Sequence, residues 1–469
     1  MTDMLSESFS ENVEMLTRRL GVRENFDVIC RRLSVDAGEL AFFYVDGFVK
    51  DGEMQRTMQF VMTERRLGTA DEFERRIPYV EVEVSSDTEK VITAVLSGQT
   101  AMLSPSFGAK VILIDMRTYP ARGTEEPDSD RVMQGSRDGF VETLVMNTAL
   151  IRRRVRDERL RMEYYNLGGS SKTDVVLCYI DGVADAEYLD KLRRRISQIK
   201  PKGLTLGFQS LSASLIQRKW YNPFPKIRTT ERPDTAAAQV LEGSILVICD
   251  TSPAVMMLPT AIFDYLQQTD DYYFPPLTGT YLRIIRTFIL ALSFICTPLW
   301  YLALEYSDRL PAALSFLVPD DAGALPIILQ LFLVELAIDG LKIASMNTPG
   351  MLANSLSIVS ALILGDFAVG IGWLSPDVIL YMAFVAIASF AQQNYEFGYA
   401  FKFMRMLLLG LTALFKIWGF VAGVLIFVLA AATNNTIASG KGYLYPLIPF
   451  NAGALRRLLI RERKRDFES

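Results

Sequence analysis

The chain has 469 residues, no histidine and a formal net charge of −4. Without histidine there is no Ser–His–Asp or Cys–His hydrolase and no His-ligated metal site, and a near-balanced charge disfavours a nucleic-acid partner. Half the residues are apolar and mean hydropathy is +0.20, but most of the charge lies before residue 280, so two unlike parts are being averaged.

The N-terminus, MTDMLSESFSENVEML, has neither the basic nor the apolar stretch of a signal peptide. Residues 1–29 are therefore expected as an N-terminal helical segment of a cytoplasmic head. Cys30, Cys178, Cys249 and Cys296 are widely scattered, which suits free thiols in a reducing compartment. No enzyme activity, cofactor or metal is expected.

An internal repeat follows. Tyr44-Val-Asp46-Gly47 matches Tyr179-Ile-Asp181-Gly182, each closing an apolar strand and opening a helix. Downstream, Leu96-Ser-Gly98 matches Leu241-Glu-Gly243, each leading into apolar strands. The pattern predicts two similar α/β subdomains, at 30–138 and 168–270, each ending in a strand hairpin. Asp46 and Asp181 read as Asp-Gly turn residues. Between the subdomains, 139–167 is expected as a connecting helix. Arg152, Arg153, Arg154, Arg156, Arg159 and Arg161 crowd its end, either as solvated cations suited to the helix dipole or as contacts to anionic headgroups or a neighbouring subunit. Gly168-Gly-Ser-Ser-Lys172-Thr precedes a strand, so it cannot face phosphates with a helix N-terminus as a P-loop does.

From Tyr281 to Ala432 the apolar runs are long enough for transmembrane helices, ~20 residues each. The expected spans are 281–304, 325–346, 352–373, a short 376–391, and 407–432, followed by a basic tail at 433–469. Arg283 and Arg286 at the first entrance place the head inside by the positive-inside rule. Five crossings would leave the basic tail outside. One run is then expected to be re-entrant, interfacial or a broken pair, with the second and fourth segments as candidates. Glu335, Asp339 and Lys342 form a charged stripe on one helix face. Ser357, Ser360, Ala361, Leu364, Asp366 and Ala368 form a small, mixed stripe that is read either as helix packing or as a pore lining.

Several motifs in order carry a resemblance. Glu126-Pro127, Gly135-Ser-Arg137-Asp138-Gly139-Phe140, Asn147-Thr-Ala-Leu-Ile151-Arg-Arg-Arg154, Asn222-Pro-Phe-Pro225, Thr230-Glu231-Arg232-Pro233-Asp234 and Tyr443-Leu-Tyr-Pro446 are similar to those of the GerA family of spore germination proteins. Gln393 and Gly442 depart from it, standing where relatives often have proline. The resemblance implies a multi-pass protein of the inner spore membrane with a cytoplasmic two-part head. It also implies a pentameric homo-oligomer that conducts or amplifies cation release. Membrane lipids, a second small spore membrane protein, germinant-receptor proteins and dipicolinate-channel proteins are the implied partners. Glu231, Arg232, Pro233, Asp234 and Arg137 are assigned to assembly or gating. A nutrient-receptor A subunit and a non-conducting scaffold for the dipicolinate channel stay open as alternatives.

Overall fold

The computed structural model describes residues 4–119, 135–199, 207–216, 219–268, 270–347, 368–392, 394–434 and 442–459. They form two compact units, one from Met1–Arg218 with Ile227–Thr260, the other from Lys219–Lys226, Ala261–Asn435 and the C-terminal residues.

The first unit contains two copies of one topology. In the first, α1 (Phe9–Arg19) precedes the hairpin β1 (Val28–Val35) and β2 (Gly38–Val45). Then come α2 (Asp51–Thr63), α3 (Ala70–Glu74), β3 (Val82–Ser85), α4 (Thr88–Leu96), β4 (Thr100–Leu103) and β5 (Val111–Ile114). In the second, α5 (Leu144–Arg154) precedes β6 (Leu160–Leu167) and β7 (Thr173–Ile180). Then come α6 (Ala186–Gln198), α7 (Phe208–Leu215), β8 (Arg228–Thr230), α8 (Pro233–Leu241), β9 (Ile245–Cys249) and β10 (Val255–Leu258). The sheets have equivalent orders, β1-β2-β4-β5-β3 and β6-β7-β9-β10-β8, with every pair antiparallel. The central strands are apolar throughout because both faces are covered. Ala41, Phe43 and Val45 enter one core, and Leu40 and Phe42 the other.

The paired Asp-Gly turns are equivalent in detail. The Asp46 N–H donates to the Asp27 carbonyl (2.7 Å) and the Asp181 N–H to the Arg159 carbonyl (2.9 Å). Gly47 and Gly182 follow at φ +81° and +78°, a conformation that glycine adopts without a Cβ penalty.

The boundaries of the copies differ from those expected. The connecting segment 139–167 is helical only over Leu144–Arg154, and Leu160–Leu167 is the first strand of the second sheet. Each copy thus begins with its own helix: Ser8 caps α1 and Thr143 stands at the same place before α5. The apolar spacing changes at Val155, whose extended backbone ends the helix, and the Asp157 carboxylate then accepts from the Arg159 N–H (2.8 Å). A run of arginines obscured that change of period.

Most of those arginines are engaged within the chain. Arg152, fully buried, makes a two-point contact with Asp27 (2.5 and 2.9 Å) across the two copies. Arg153 lies over the Tyr119 ring, and Arg161 pairs with Glu24. Arg154 donates to both oxygens of Asp138 (2.6 Å) and to Ser136 Oγ (3.0 Å). Burial opposes the charged forms of Asp138 and Glu163. The hydrogen bonds from Arg154 and Ser136, and from Arg193, Tyr179 and Tyr165, outweigh it, and both carboxyls titrate below their ordinary values. A carboxyl depressed by folding adds stability above its unfolded pKa, and that stability is lost as pH falls through the folded value. We expect this unit to hold its stability from neutral pH to about pH 5 and to lose it progressively below about pH 4. Calorimetry of the full chain in detergent across that range checks this.

The second unit is helical. Its elements are α9 (Asp270–Tyr273), α10 (Pro276–Glu305), α11 (Ile327–Asn347), the single turn α12 (Ala368–Gly370), α13 (Pro376–Phe390), α14 (Tyr395–Ala432) and α15 (Ala452–Leu459). Helices α10 and α14 are long and apolar enough to cross a bilayer. Leu414, Phe415, Trp418, Leu425 and Leu429 are exposed, a surface suited to lipid.

The expected fifth span, 407–432, is not one crossing. The backbone reverses at Lys416 (φ +52°, ψ −130°), so α14 is two antiparallel legs. Phe401 and Phe427, which a straight helix would hold about 39 Å apart, have ring centroids 5.3 Å apart. Glycines permit the close approach: a Cβ at Gly423 would lie 3.1 Å from the Leu408 Cα, and one at Gly419 would collide with the Leu411 carbonyl. The turn lies beside the C-terminal end of α10, where Lys416 pairs with Glu305 (3.0 Å). At the other end the Asn434 side chain donates to the Phe224 and Pro225 carbonyls (3.4 and 3.3 Å), and the Tyr443 carbonyl accepts from the Ile262 N–H (2.8 Å). The chain therefore returns to the end where α10 begins. The observed reversal lies in the fifth segment, at Lys416. It was masked because Lys416 is one charge inside a long apolar run.

Candidate functional site

Helix α11 carries Glu335, Asp339 and Lys342 at spacings that share one face, and the first leg of α14 carries Lys402 and Arg405 at a spacing of three. The two helices run antiparallel and bring these side chains together. Arg405 Nη2 lies 2.7 Å from Glu335 Oε1, and Lys402 Nζ lies 3.1 Å from the same oxygen and also pairs with Asp339. Arg405 further donates to the Ser293 carbonyl of α10 (3.4 Å). Glu335, Lys402 and Arg405 are each under a tenth exposed.

Lys342 takes a different position. Its Nζ lies 5.4, 5.1 and 5.0 Å from the centroids of Phe390, Tyr395 and Tyr399, an aromatic cage for a cation. Gln330 Oε1 accepts from the Ser375 N–H (2.8 Å), so α11 and α13 run parallel with the cluster between their ends. A cavity of about 30 Å³ adjoins Glu335, Asp339, Lys402 and Arg405, room for a water molecule. Gln392 Nε2, buried beside it, has no hydrogen-bond partner among the described residues. Charges removed from water are costly unless paired. Here two carboxylates meet three cations, and the aromatic cage supports the third.

A second buried group sits where α10 begins. Asp271, fully buried, takes Arg286 at 3.0 and 3.1 Å and Arg283 at 3.3 Å. The two arginines read as topogenic charges are thus held by an ion pair.

The sequence-assigned residues fare differently. The stripe Glu335, Asp339 and Lys342 enters the cluster, and its partners Lys402 and Arg405, a basic pair in an apolar run, went unrecognised. Arg232, fully buried, bonds Asp234 (3.1 and 2.7 Å) and the Ser136 carbonyl (2.8 Å). Pro233 opens α8, and the Glu231 carbonyl accepts from the Phe140 N–H (2.8 Å). Arg137 is exposed. Ala368 is half-buried in α12. Ser357, Ser360, Ala361, Leu364 and Asp366 lie outside the described residues. Among the described residues no group of three or more His, Cys, Asp or Glu side chains could hold a metal.

The motifs, the doubled sheet and the helical unit agree with a family match. The model of the Bacillus/Clostridium GerA spore germination protein matches residues 14–468. The chain belongs to the GerA family. Among its GerA relatives, Stage V sporulation protein AF of Bacillus subtilis is 38% identical over 460 residues, covering 97% of this chain and 92% of that protein. An uncharacterized membrane protein, YfkQ, and spore germination protein KA, both of B. subtilis, are 29% and 25% identical. They cover 97% and 98% of this chain and 89% and 85% of their own lengths. Among solved structures, the N-terminal domain of the A subunit of the Bacillus megaterium spore germinant receptor GerK3 is similar at TM-score 0.40 and 22% identity, over 55% of this chain and 97% of that one. This GerA chain is a spore germination protein, and two of those relatives, Stage V sporulation protein AF and spore germination protein KA, carry sporulation and germination in their names.

Proposed function

We propose that the chain is a cation-conducting component of the inner spore membrane, acting in germination as a homo-oligomer with its first unit in the cytoplasm. The observation that supports this most is the buried charge cluster of Glu335, Asp339, Lys342, Lys402 and Arg405 between largely apolar helices. Ionisable groups at that depth are costly and mark ion or proton paths. The small stripe Ser357, Ser360, Ala361, Leu364, Asp366 and Ala368 is the proposed lining. Leu364 would act as a constriction that closes by dewetting, and Asp366 as a carboxylate ring favouring cations. Arg137 and Glu231–Asp234 are the proposed assembly or gating residues, with the buried Arg232 acting by holding Asp234 and the Ser136 carbonyl in place. A second small spore membrane protein, germinant-receptor proteins and dipicolinate-channel proteins are the proposed partners.

Potassium efflux from liposomes holding the purified chain tests this. Leu364→Ser is expected to leak, and Asp366→Asn to assemble normally but pass less potassium. Unchanged flux in both would remove the stripe from the path. A second reading, a non-conducting scaffold, is favoured by the close pairing of the cluster within one chain, which resembles a packing clamp. It predicts no flux from any variant.

A further inference from the structure

The segment Lys219–Lys226 belongs to the helical unit although it interrupts the second sheet copy. Its inner half is firmly seated. The Phe224 ring packs against Phe401, Phe427 and Tyr443 at 5.4–6.2 Å, and the Asn222 side chain donates to the Ala430 carbonyl at the end of the second α14 leg (2.9 Å). Its outer half is bare. Trp220 is 95% exposed and Tyr221 62%, their rings meeting edge-on at 6.1 Å, with Lys219 Nζ 5.8 Å from the Tyr221 ring.

An indole held almost wholly in water is unfavourable, whereas Trp and Tyr collect where hydrocarbon meets headgroups, with lysine reaching outward to phosphate. The loop sits where such a boundary should fall. The exposed apolar residues Leu425 and Leu429 run along the same leg up to Ala430, the residue that Asn222 grips. At the opposite end of the unit the other exposed tryptophans repeat the arrangement. Trp418 stands two residues past the Lys416 turn, and Trp373 beside Gly323, whose following residue bonds the Gly372 carbonyl.

We infer that Lys219–Tyr221 is an interfacial anchor, with the Trp220 indole and the Tyr221 ring inserted among the lipid headgroups of the leaflet where α10 begins and Lys219 on their phosphates. The inference rests on the membrane reading of the helical unit. It sets the depth of the bundle, since Trp220 marks one face and Trp373 and Trp418 the other.

Tryptophan fluorescence of the full chain in lipid nanodiscs tests it, using phospholipids brominated near the carboxyl end of the acyl chain and aqueous iodide as opposing quenchers. In Trp373→Phe/Trp418→Phe, Trp220 is the remaining exposed indole. Its emission is expected to shift to the blue, lose intensity to the bromolipid and resist iodide. Trp220→Phe, which keeps the pair at the other end, is the reference and is expected to be quenched by bromolipid as well. Iodide quenching of Trp220 without bromolipid quenching would place it in water and overturn the anchor. Protection from both would mean that a second copy or another protein covers it, and would overturn the anchor equally. Loss of bromolipid quenching in the reference would overturn the membrane reading itself.

Discussion

Replacing Glu335 by alanine is expected to destabilise the helical unit by about 3–5 kcal/mol, the cost of breaking a buried ion pair. The carboxylate is shared by Arg405 and Lys402. Among the described residues, its loss leaves the buried Arg405 guanidinium with the Ser293 carbonyl, at 3.4 Å, as its hydrogen-bond partner. The desolvation cost of the cations remains while their counter-charge is gone. Removing both partners in Glu335→Leu/Arg405→Leu is expected to cost less than the sum of the single variants, because no orphaned charge is left. Thermal or denaturant unfolding in detergent measures this. A loss within about 1 kcal/mol, the range of exposed pairs, would mean that the cluster is hydrated.

The second large effect is expected at the fold-back. Gly419→Ala places a Cβ against the Leu411 carbonyl, a backbone atom that cannot swing aside. The legs must separate, and the aromatic packing of Phe294, Phe401 and Phe427 loosens with them. We expect a loss of about 1–3 kcal/mol for alanine, growing with side-chain size. Gly410→Ala is the internal control, since its Cβ meets nothing within 4 Å. It is expected to be neutral or to stabilise by up to about 1 kcal/mol through helix propensity. Equal behaviour of the two variants would argue that the legs are not closely apposed.

Much of the architecture could be read from the residues. The paired Tyr-x-Asp-Gly turns announce a repeat because only one backbone geometry suits them, and both glycines lie at φ near +80°. Where each copy begins was less legible. Helix α5 shares one continuous stretch with β6, and Arg152–Arg154 look like a solvated end, although Arg152 is buried against Asp27, 125 residues away. Such a partner has no local signature. The Glu335–Asp339–Lys342 stripe was visible as an i, i+4, i+7 face, but Lys402 and Arg405 became its partners only through tertiary packing. The Lys416 reversal was hidden for a similar reason. It is marked not by proline or a turn dipeptide but by a lysine at positive φ, with Gly419 and Gly423 permitting the close approach of the legs.

Recording from planar bilayers containing the purified full chain decides whether this protein itself conducts cations. Under a potassium chloride gradient, channel currents are expected to reverse toward the potassium equilibrium potential, with that selectivity weakened in Asp366→Asn. Absence of current from well-folded, oligomeric protein, or reversal toward the chloride potential, would contradict cation conduction by this chain.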